Sequence, residues 1–432
     1  MITLLRIAVR NLLQHRKRTL LLGAAIAMVT LLLVLLSALL NGMQATMLKT
    51  ATTLMSGHVN VAGFYKVTSG MAAPVVTDYA KIKEIVKKET PGLQSVVLRG
   101  RGWGKLVSDV SSQQSAVTGI DIEDEKNFRE VVQVAHGSVD GLKNPHTILI
   151  FQSVADRLEV KVGDRLTITS QTFRGASNTV DVEIVAIAKD LGMFSSFSSY
   201  VPQDTIRDLY LLDKTTTGAL QIYLKDADQA EAVAVHLESV LAKHGYRMMD
   251  RLAEPFFRKF DMVKREDWTG QKIDVTTWID EMMFMRWVLI VMRALIGILV
   301  SVLLVIIVIG VMNTLWMAIR ERTREIGTLR AIGMDRRVVL QMFMLEAAVL
   351  AVTATAVGVG LSVAVIAGLN AAQVPVSKGF QMFLMSDTLH LIVDVPTAVR
   401  SLVIISVVTT LGALQPAWRA ARMQPVTAMH AN

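Results

Sequence analysis

Cysteine is absent from all 432 residues of this chain. A folded domain built from this sequence therefore has neither disulfides nor a thiolate metal site, and its stability has to come from a packed core. Metal and hydrolase motifs are lacking too, since the eight histidines are scattered without H-E-x-x-H spacing and no G-x-S-x-G elbow occurs. The sequence predicts that the chain is not itself a catalytic enzyme and that it holds no metal and no cofactor.

A phosphate-cradling G-x-x-x-x-G-K-[ST] loop is also missing. The run R-G-R-G-W-G-K at residues 99–105 superficially resembles a nucleotide loop, but no helix opens after it, as such a loop requires. We interpret the run as a flexible or bulged strand. Any ATP and Mg²⁺ that drive this protein are therefore predicted to bind a partner.

Four long runs contain no charged residue: residues 20–40, 294–316, 347–370 and 401–418. About 20 apolar residues in a helix cross the roughly 30 Å hydrocarbon core of a bilayer. The first run is longer than the apolar region of a signal peptide, so we expect it to be retained. The sequence predicts a helical membrane protein with four transmembrane helices.

Basic residues determine the predicted orientation, because the cytoplasmic flanks of membrane helices are enriched in Lys and Arg. They cluster before the first run, in the loop between the second and third, and after the fourth. The loop at 371–397 carries only Lys378 against Asp387 and Asp394. Both termini and the 317–340 loop are therefore predicted to be cytoplasmic. The net charge of +8 then favours the anionic cytoplasmic leaflet over nucleic acid as partner.

The predicted spans divide the chain into nine segments. They are a cytoplasmic amphipathic segment (1–18), the first transmembrane helix (19–41), a periplasmic domain with a stalk (42–285), the second helix (286–317), a cytoplasmic coupling loop (318–339), the third helix (340–370), a short periplasmic loop (371–397), the fourth helix (398–418) and a cytoplasmic tail (419–432).

The large exterior segment alternates strand and helix patterns. Predicted strands lie at 56–64, 93–107, 164–171, 179–188 and 219–224, predicted helices at 79–90 and 227–244, and a strand leading into a helix at 147–159. From Glu254 to Arg286 charged and aromatic residues are mixed, and we expect a helical stalk. The pattern is typical of an α+β domain with two subdomains.

Ionisable residues reach the predicted spans only at their edges, at Glu346 and Arg293. We expect both to contact the membrane interface, and the uncharged interior argues against an ion or proton carrier. The third span contains two small-x-x-x-small pairs, formed by Ala354, Ala356, Gly358 and Gly360. Such pairs permit close helix packing within a subunit or across a dimer, and ordinary membrane composition explains them equally well.

The loop at 320–333, R-E-R-T-R-E-I-G-T-L-R-A-I-G, is predicted to form a helix interrupted at Gly327 and closed at Gly333. Apolar residues at helical spacing predict one apolar ridge, formed by Ile319, Ile326, Leu329 and Ile332. An ordinary positive-inside loop needs the arginines but not the interleaved glutamates and glycines. We therefore interpret the segment as a docking surface for a partner protein.

The same loop closely resembles the signature of the MacB/LolC/LolE/FtsX-type ABC transporter permeases. The stretches that carry the resemblance are N-T (313–314), E-R-T-R-E-I-G (321–327), A-I-G (331–333), A-V-R-N-L-L (8–13), V-K-V-G-D (160–164) and Q-P-A-W-R-A-A-R (415–422) with P-V (425–426). Gln415 and Trp418 differ from the family's usual residues. The likeness includes the order of the spans and the large first exterior loop.

The resemblance implies that two permeases pair with a cytoplasmic ABC ATPase dimer in the bacterial inner membrane. ATP-driven closure of the ATPases is then passed through long helices to the periplasmic domains. In this chain the resemblance implies an ATPase contact formed by Glu321, Arg322, Arg324, Glu325, Ile326, Gly327 and Gly333. The second permease is another copy or a paralogue, and no substrate-contact residue can be assigned.

The leading functional hypothesis is extraction of a lipoprotein, or another amphipathic substrate, from the outer leaflet of the inner membrane. It follows from the resemblance to the LolC/LolE branch, in which no ATPase is fused to the permease. One alternative is a tripartite efflux permease for drugs or peptides. Another is an FtsX-like activator of a cell-wall hydrolase that transports nothing, although the exterior loop is larger than we expect for that role.

Overall fold

The computed structural model describes residues 2–14, 16–68, 71–377, 379, 381, 384 and 386–424. The chain divides into two compact units. The membrane unit comprises residues 1–44, 289–375 and 388–432, and the large domain comprises residues 45–288 and 376–387.

Helices and strands are labelled here in chain order. The helices are α1 (Ile2–Gln14), α2 (Arg16–Ala51), α3 (Tyr79–Glu89), α4 (Lys126–Val131), α5 (Gln152–Leu158), α6 (Gln203–Tyr210), α7 (Ala230–Lys243), α8 (Phe256–Arg265), α9 (Trp278–Glu281), α10 (Met283–Glu321), α11 (Thr323–Ala331), α12 (Arg336–Ala371), α13 (Val395–Gly412) and α14 (Leu414–Ala421). The strands are β1 (Val59–Thr68), β2 (Met71–Ala73), β3 (Leu93–Val107), β4 (Ser112–Ile120), β5 (Val134–Gly137), β6 (Thr147–Phe151), β7 (Arg165–Gln171), β8 (Ser177–Ala188), β9 (Ser198–Pro202), β10 (Ala219–Leu224) and β11 (Gly270–Thr277).

Four helical stretches among the described residues are long and apolar enough to cross a membrane: Arg16–Ser56, Arg286–Glu321, Arg336–Ala371 and Val395–Ala421. The predicted architecture of four transmembrane helices with a large α+β domain between the first and second is thereby confirmed. The helices extend past the predicted spans, since α2 continues from residue 41 to Ala51 and α10 begins at Met283. No proline interrupts the helical sequence at either place.

The outer face of α10 is an apolar stripe. Leu295, Ile298, Val302, Val305 and Ile309 follow helical spacing, and half or more of each is exposed. Such a face is typical of contact with lipid. The buried residues of α10 pack with α2, α12 and α13 in a shared core that includes Ile26, Ile307, Val311, Ala354 and Ile405.

The helices α2 and α12 approach closely at Gly358. A Cβ at this position would lie 2.6 Å from the carbonyl oxygen of Ala27 and 2.6 Å from Cβ of Thr30. The pair Ala354 and Gly358 therefore packs within the subunit. At Gly360, by contrast, no described atom lies within 4 Å of the point that a Cβ would occupy, so the second small-residue pair has an open face.

The strands of the large domain form one sheet in the order β11-β1-β10-β3-β4-β9-β6-β8-β5, with β2 paired to β1 and β7 paired to β3 and β8. Strand β3 belongs to both halves, because its first part pairs with β10 and its second part with β4 and β7. Each half has its own hydrophobic cluster, one around Ile150 and Ile168, the other around Val61 and Ile222.

The predictions for residues 56–64 and 254–286 of this domain need correction. The predicted strand at 56–64 begins only at Val59, because Thr52–Ser56 form a π-helical turn after α2. The expected helical stalk at 254–286 is wrong, since β11 lies between α8 and α9 and pairs with β1. Ile273 and Val275 of β11 alternate into the second cluster, so a strand period of two is embedded in a segment that looked irregular.

Candidate functional site

The coupling segment links α10 to α12. α10 ends at Glu321, Arg322 breaks the helix with φ −106° and ψ 13°, and α11 then runs over Thr323–Ala331. The predicted interruption at Gly327 is wrong, because Gly327 lies inside α11. The predicted closure at Gly333 is confirmed, since this residue has φ +107°, which glycine adopts without strain.

One face of α11 packs into the membrane unit. Ile326 is buried with Ile319, Phe343 and Ala417, and Arg330 Nη1 donates a hydrogen bond to the carbonyl oxygen of Ala421 at 2.6 Å. The expected single apolar ridge is therefore wrong. Two of its members point into the protein, whereas Leu329 and Ile332 remain exposed, Ile332 to 81%.

The seven residues proposed for ATPase contact are thus divided by burial. Exposed at the surface are Glu321, Arg324, Glu325 and Gly333. Buried are Arg322, Ile326 and Gly327. The buried side chains of Arg322 and Ile326 pack within the membrane unit, and Gly327 has no side chain to offer a partner. The other four residues lie at the surface.

Arg322 belongs to an ion-pair cluster that we call the arginine–glutamate triad and define by Arg18, Arg322 and Glu346. Arg322 and Glu346 are buried, and Arg18 is partly exposed. Glu346 Oε2 lies 3.5 Å from Arg322 Nη1, and Glu346 Oε1 lies 3.7 Å from Arg18 Nη2. Arg18 also approaches Oε2 of the exposed Glu321 at 3.5 Å. Only 3% of Glu346 is exposed. Burying a carboxylate costs free energy unless its charge is paired, and here each oxygen of Glu346 faces an arginine.

The triad corrects the expectation that Glu346 contacts the membrane interface. The side chain instead joins three elements, namely the start of α2, the break before α11 and α12. A sequence signal was available, because an ionisable residue in a membrane span is by default a functional candidate. Its partners were not predictable, since Arg18 and Arg322 are two of many flanking arginines.

A second cluster lies at the end of α2, in the large domain. Four successive carbonyl oxygens of the π-helical turn accept hydrogen bonds from side chains of the sheet: Thr52 from Tyr223 Oη (3.1 Å), Thr53 from Arg99 Nη2 (2.9 Å), Leu54 from Tyr200 Oη (3.0 Å) and Met55 from Gln221 Nε2 (2.6 Å). We call Arg99, Tyr200, Gln221 and Tyr223 the helix-end clamp. The last carbonyls of a helix lack partners within it and carry partial negative charge. The carbonyl of Thr52 also accepts from the backbone N–H of Gly57, and the clamp provides donors to the three carbonyls that follow.

Arg99 is the charged centre of the clamp. Its Nη2 also lies 2.9 Å from Glu125 Oε2, and both side chains are 1% exposed. Burial raises the pKa of Tyr223 to about 12, and burial raises the pKa of Tyr200 as well, so both hydroxyls stay protonated and donate hydrogen bonds. Sequence reasoning treated Arg99 only as part of a glycine-rich run and missed this role.

Comparison with known proteins matches both halves of the chain. Residues 19–240 match the family model described as MacB-like periplasmic core domain, and residues 297–425 match the model described as FtsX-like permease C-terminal. The chain belongs to the MacB/FtsX family of ABC transporter permeases. The resemblance seen in the sequence is thereby confirmed, although two positions that contributed to it, Pro425 and Val426, lie outside the described residues.

Relatives of this MacB/FtsX-family permease include export proteins. The macrolide export ATP-binding/permease protein MacB of Neisseria meningitidis serogroup A is 27% identical over 445 residues, covering 98% of this chain and 60% of MacB. The pyoverdine export ATP-binding/permease protein PvdT of Pseudomonas fluorescens is 36% identical over 121 residues, covering 28% of this chain and 16% of PvdT. The chain thus spans about 60% of the length of the MacB relatives.

Solved structures of related domains also match this MacB/FtsX-family permease. The extracellular domain of the ABC-type transporter YknZ from Gram-positive bacteria covers 50% of this chain and 98% of its own, with 14% identity and a TM-score of 0.31. The periplasmic region of MacB from Actinobacillus actinomycetemcomitans covers 44% and 86%, with 16% identity and a TM-score of 0.30.

Proposed function

We propose that this permease is the membrane subunit of an ATP-driven transporter and that a separate ATPase dimer docks on α11. Support comes from the coupling segment, in which the charged Glu321, Arg324 and Glu325 and the apolar Leu329 and Ile332 are all exposed. A surface that combines apolar and charged side chains suits a protein interface. The sequence has no phosphate-cradling loop, so ATP and Mg²⁺ are assigned to the partner.

The arginine–glutamate triad is the observation that carries the proposal. Through Glu346 the break before α11 is held to α12 and to α2 at once. A displacement of α11 by the ATPase is therefore shared by two spans instead of being absorbed in the loop. The same helix α2 continues without interruption to Ala51 and leads into the clamped turn, so its motion is delivered to the sheet of the large domain.

The proposed orientation has both termini and α11 in the cytoplasm and the large domain in the periplasm. It follows from the arginines and lysines that flank the spans on one side. The apolar spans contain few polar groups, which suits transmission of force better than an aqueous path. A second permease, either another copy or a paralogue, completes the assembly in this proposal.

The proposed substrate is a lipoprotein or another amphipathic molecule taken from the outer leaflet. The test is reconstitution of the permease with its ATPase in proteoliposomes that contain a fluorescent lipoprotein, together with a soluble acceptor. ATP is expected to transfer lipoprotein to the acceptor, and a non-hydrolysable ATP analogue is not. ATP-stimulated turnover without any transfer would contradict extraction.

Export through a periplasmic assembly is a second candidate, favoured by the names of MacB and PvdT, which are export proteins. In that case the permease should co-purify with an adaptor and an outer-membrane channel. Its ATPase should also be stimulated by the exported small molecule and not by lipoprotein. The same reconstituted material therefore distinguishes the two candidates.

A further inference from the structure

The large domain contains an open cavity of about 700 Å³. One wall is the part of β3 that includes the R-G-R-G-W-G-K run, another is the β7–β8 hairpin, and a third is α8. Ligand pockets of proteins commonly have volumes of about 300–1,000 Å³. The cavity thus has the size of a binding site for one organic molecule.

The glycines of the run make room for side chains that pack directly on the backbone of β3. A Cβ at Gly102 would lie 2.4 Å from the ring of Tyr210, and one at Gly104 would lie 2.8 Å from Ile168. The run is therefore a regular strand that lets neighbouring core residues approach its backbone, and it is neither bulged nor a nucleotide loop. Its larger residues Arg101, Trp103 and Lys105 are left to line the cavity.

Aromatic rings form much of the cavity wall. Trp103 is 47% exposed and stacks on Phe197 with centroids 6.3 Å apart, and Phe257 of α8 is 48% exposed. Phe173 of the hairpin stacks on Tyr210 at 4.6 Å. Large rings exposed together in a concave surface mark a binding surface more often than an ordinary one.

The charge of the cavity has one sign. Its described lining residues include Arg101, Lys105 and Lys264 but no carboxylate. Arg101 is compensated by Glu281 at 3.7 Å. Lys264 lies over the ring of Phe260 at 4.1 Å, and its one ion pair among the described residues, to the exposed Asp261 at 3.9 Å, is weak. Among the described residues, Lys105 makes no ion pair. Lys105 and Lys264 therefore provide positive charge beside aromatic surface.

We propose that this cavity binds an amphipathic organic anion, with its apolar or aromatic body against Trp103 and Phe257 and its negative group near Lys105 and Lys264. The proposal rests on the proposed function in one respect, since such a ligand would be the transported substrate or a part of it. Two sources share this chemistry, namely a soluble aromatic anion and an acyl-chain anion from the membrane leaflet.

The test is equilibrium dialysis of 1-naphthalenesulfonate against the full chain in phosphatidylcholine nanodiscs, with empty nanodiscs as the blank. We expect saturable binding near one probe per chain and at least tenfold weaker binding of 1-naphthalenemethylammonium, a cation of similar size. The double variant Lys105→Glu with Lys264→Glu should weaken sulfonate binding at least tenfold. Trp103→Ala should weaken binding of the anion while leaving the preference for anion over cation unchanged.

The matched control is Lys87→Glu with Lys88→Glu on α3, which changes the net charge of the large domain equally at exposed positions outside the cavity lining. Equal weakening by this control, equal binding of the two probes, or no saturable binding by the wild type would overturn the proposal. Dialysis with octyl sulfate distinguishes the sources, because tighter binding than the sulfonate indicates an acyl-chain anion and weaker binding a soluble aromatic one. No ATPase is present, so failure here leaves the reconstitution test of the proposed function untouched.

Discussion

Glu346 Oε2 lies 3.5 Å from Arg322 Nη1, although Glu346 is in a membrane span and Arg322 is at the break before α11. Both side chains are buried. Arg322 therefore belongs to the interior of the permease, even though the family resemblance counted it with the ATPase contact. This pair ties the break before α11 to α12 within the membrane unit.

Replacing Glu346 tests the triad. In Glu346→Gln, Arg18 and Arg322 lose the carboxylate between them, and loss of one partner from a buried ion pair typically costs about 3–5 kcal/mol. We expect a lower thermal unfolding temperature of the detergent-solubilised permease and weaker stimulation of the partner ATPase by substrate. Asp387→Asn, which removes one negative charge outside the membrane unit, is the control. Unchanged stability and unchanged stimulation in Glu346→Gln would contradict a structural role for the triad.

Charge reversal tests the docking surface on the coupling segment. Glu321 and Glu325 are exposed, so the double change to lysine should leave folding within about 1 kcal/mol of the wild type, including loss of the exposed contact to Arg18. Association with the ATPase, measured by co-purification, should fall at least tenfold. Glu84→Lys with Glu89→Lys on α3 gives the same change of net charge in the large domain. If co-purification falls equally in this control, the contact on α11 is wrong.

The clamp can be tested by removing the charge or one hydroxyl. Arg99→Met leaves Glu125 buried without its partner, and we expect a loss of about 3–5 kcal/mol in the free energy of unfolding. Tyr223→Phe removes the hydrogen bond to the carbonyl oxygen of Thr52 and should cost about 1 kcal/mol.

Combining Arg99→Met with Glu125→Gln should recover part of the stability, because no charge then remains unpaired. Additive losses in that double variant would show that the two residues do not form a coupled pair.

The same double variant also tests whether the clamp transmits motion to the large domain. Arg99→Met with Glu125→Gln should reduce substrate transfer per ATP hydrolysed, since the turn after α2 has lost one of its hydrogen-bond donors.

Alkaline pH should destabilise the large domain through Tyr223. Burial raises its pKa in the folded state to about 12, above the unfolded value of about 10. The stabilising contribution of the neutral phenol is therefore complete below pH 10 and is lost as the pH rises from about 10 to 12. The thermal unfolding temperature of the wild type should fall more steeply between pH 10 and 12 than that of Tyr223→Phe, with Tyr65→Phe as the control. An equal fall of the unfolding temperature in wild type and Tyr223→Phe would contradict the role given to Tyr223.

Two glycines of α12 offer a matched pair for packing. Gly358→Ala places a methyl group 2.6 Å from the carbonyl oxygen of Ala27, and we expect a loss of about 1–3 kcal/mol. Gly360→Ala meets no described atom within 4 Å and should be neutral or stabilising by up to about 1 kcal/mol. Denaturant unfolding in mixed micelles measures both. Equal effects would mean that the close approach of α2 and α12 is not present in solution.

Much of the architecture was predictable from sequence because each signal is local. The strand at Ala219–Leu224 and the helix starting at Tyr79 follow directly from their patterns of apolar residues. The segment from Glu254 to Arg286 was misread, because the alternation around Ile273 and Val275 is too short to stand out between charged residues, and its pairing with β1 is not visible in the sequence. The exposed charges of the coupling segment could also be predicted from the local sequence. The burial of Ile326 could not, because it depends on contacts with α12 and α14.

The sequence by itself determined the spans and the family. A long run of uncharged, apolar residues favours the bilayer whatever the rest of the chain does, and a contiguous motif can be recognised without knowing the fold. Only the tertiary structure decided which partners the buried charged side chains meet. Glu346 and Arg99 each stand in the sequence among several possible partners of opposite charge. Burial forces each charge to be paired, but which partner it meets depends on helices and strands that are distant in the chain.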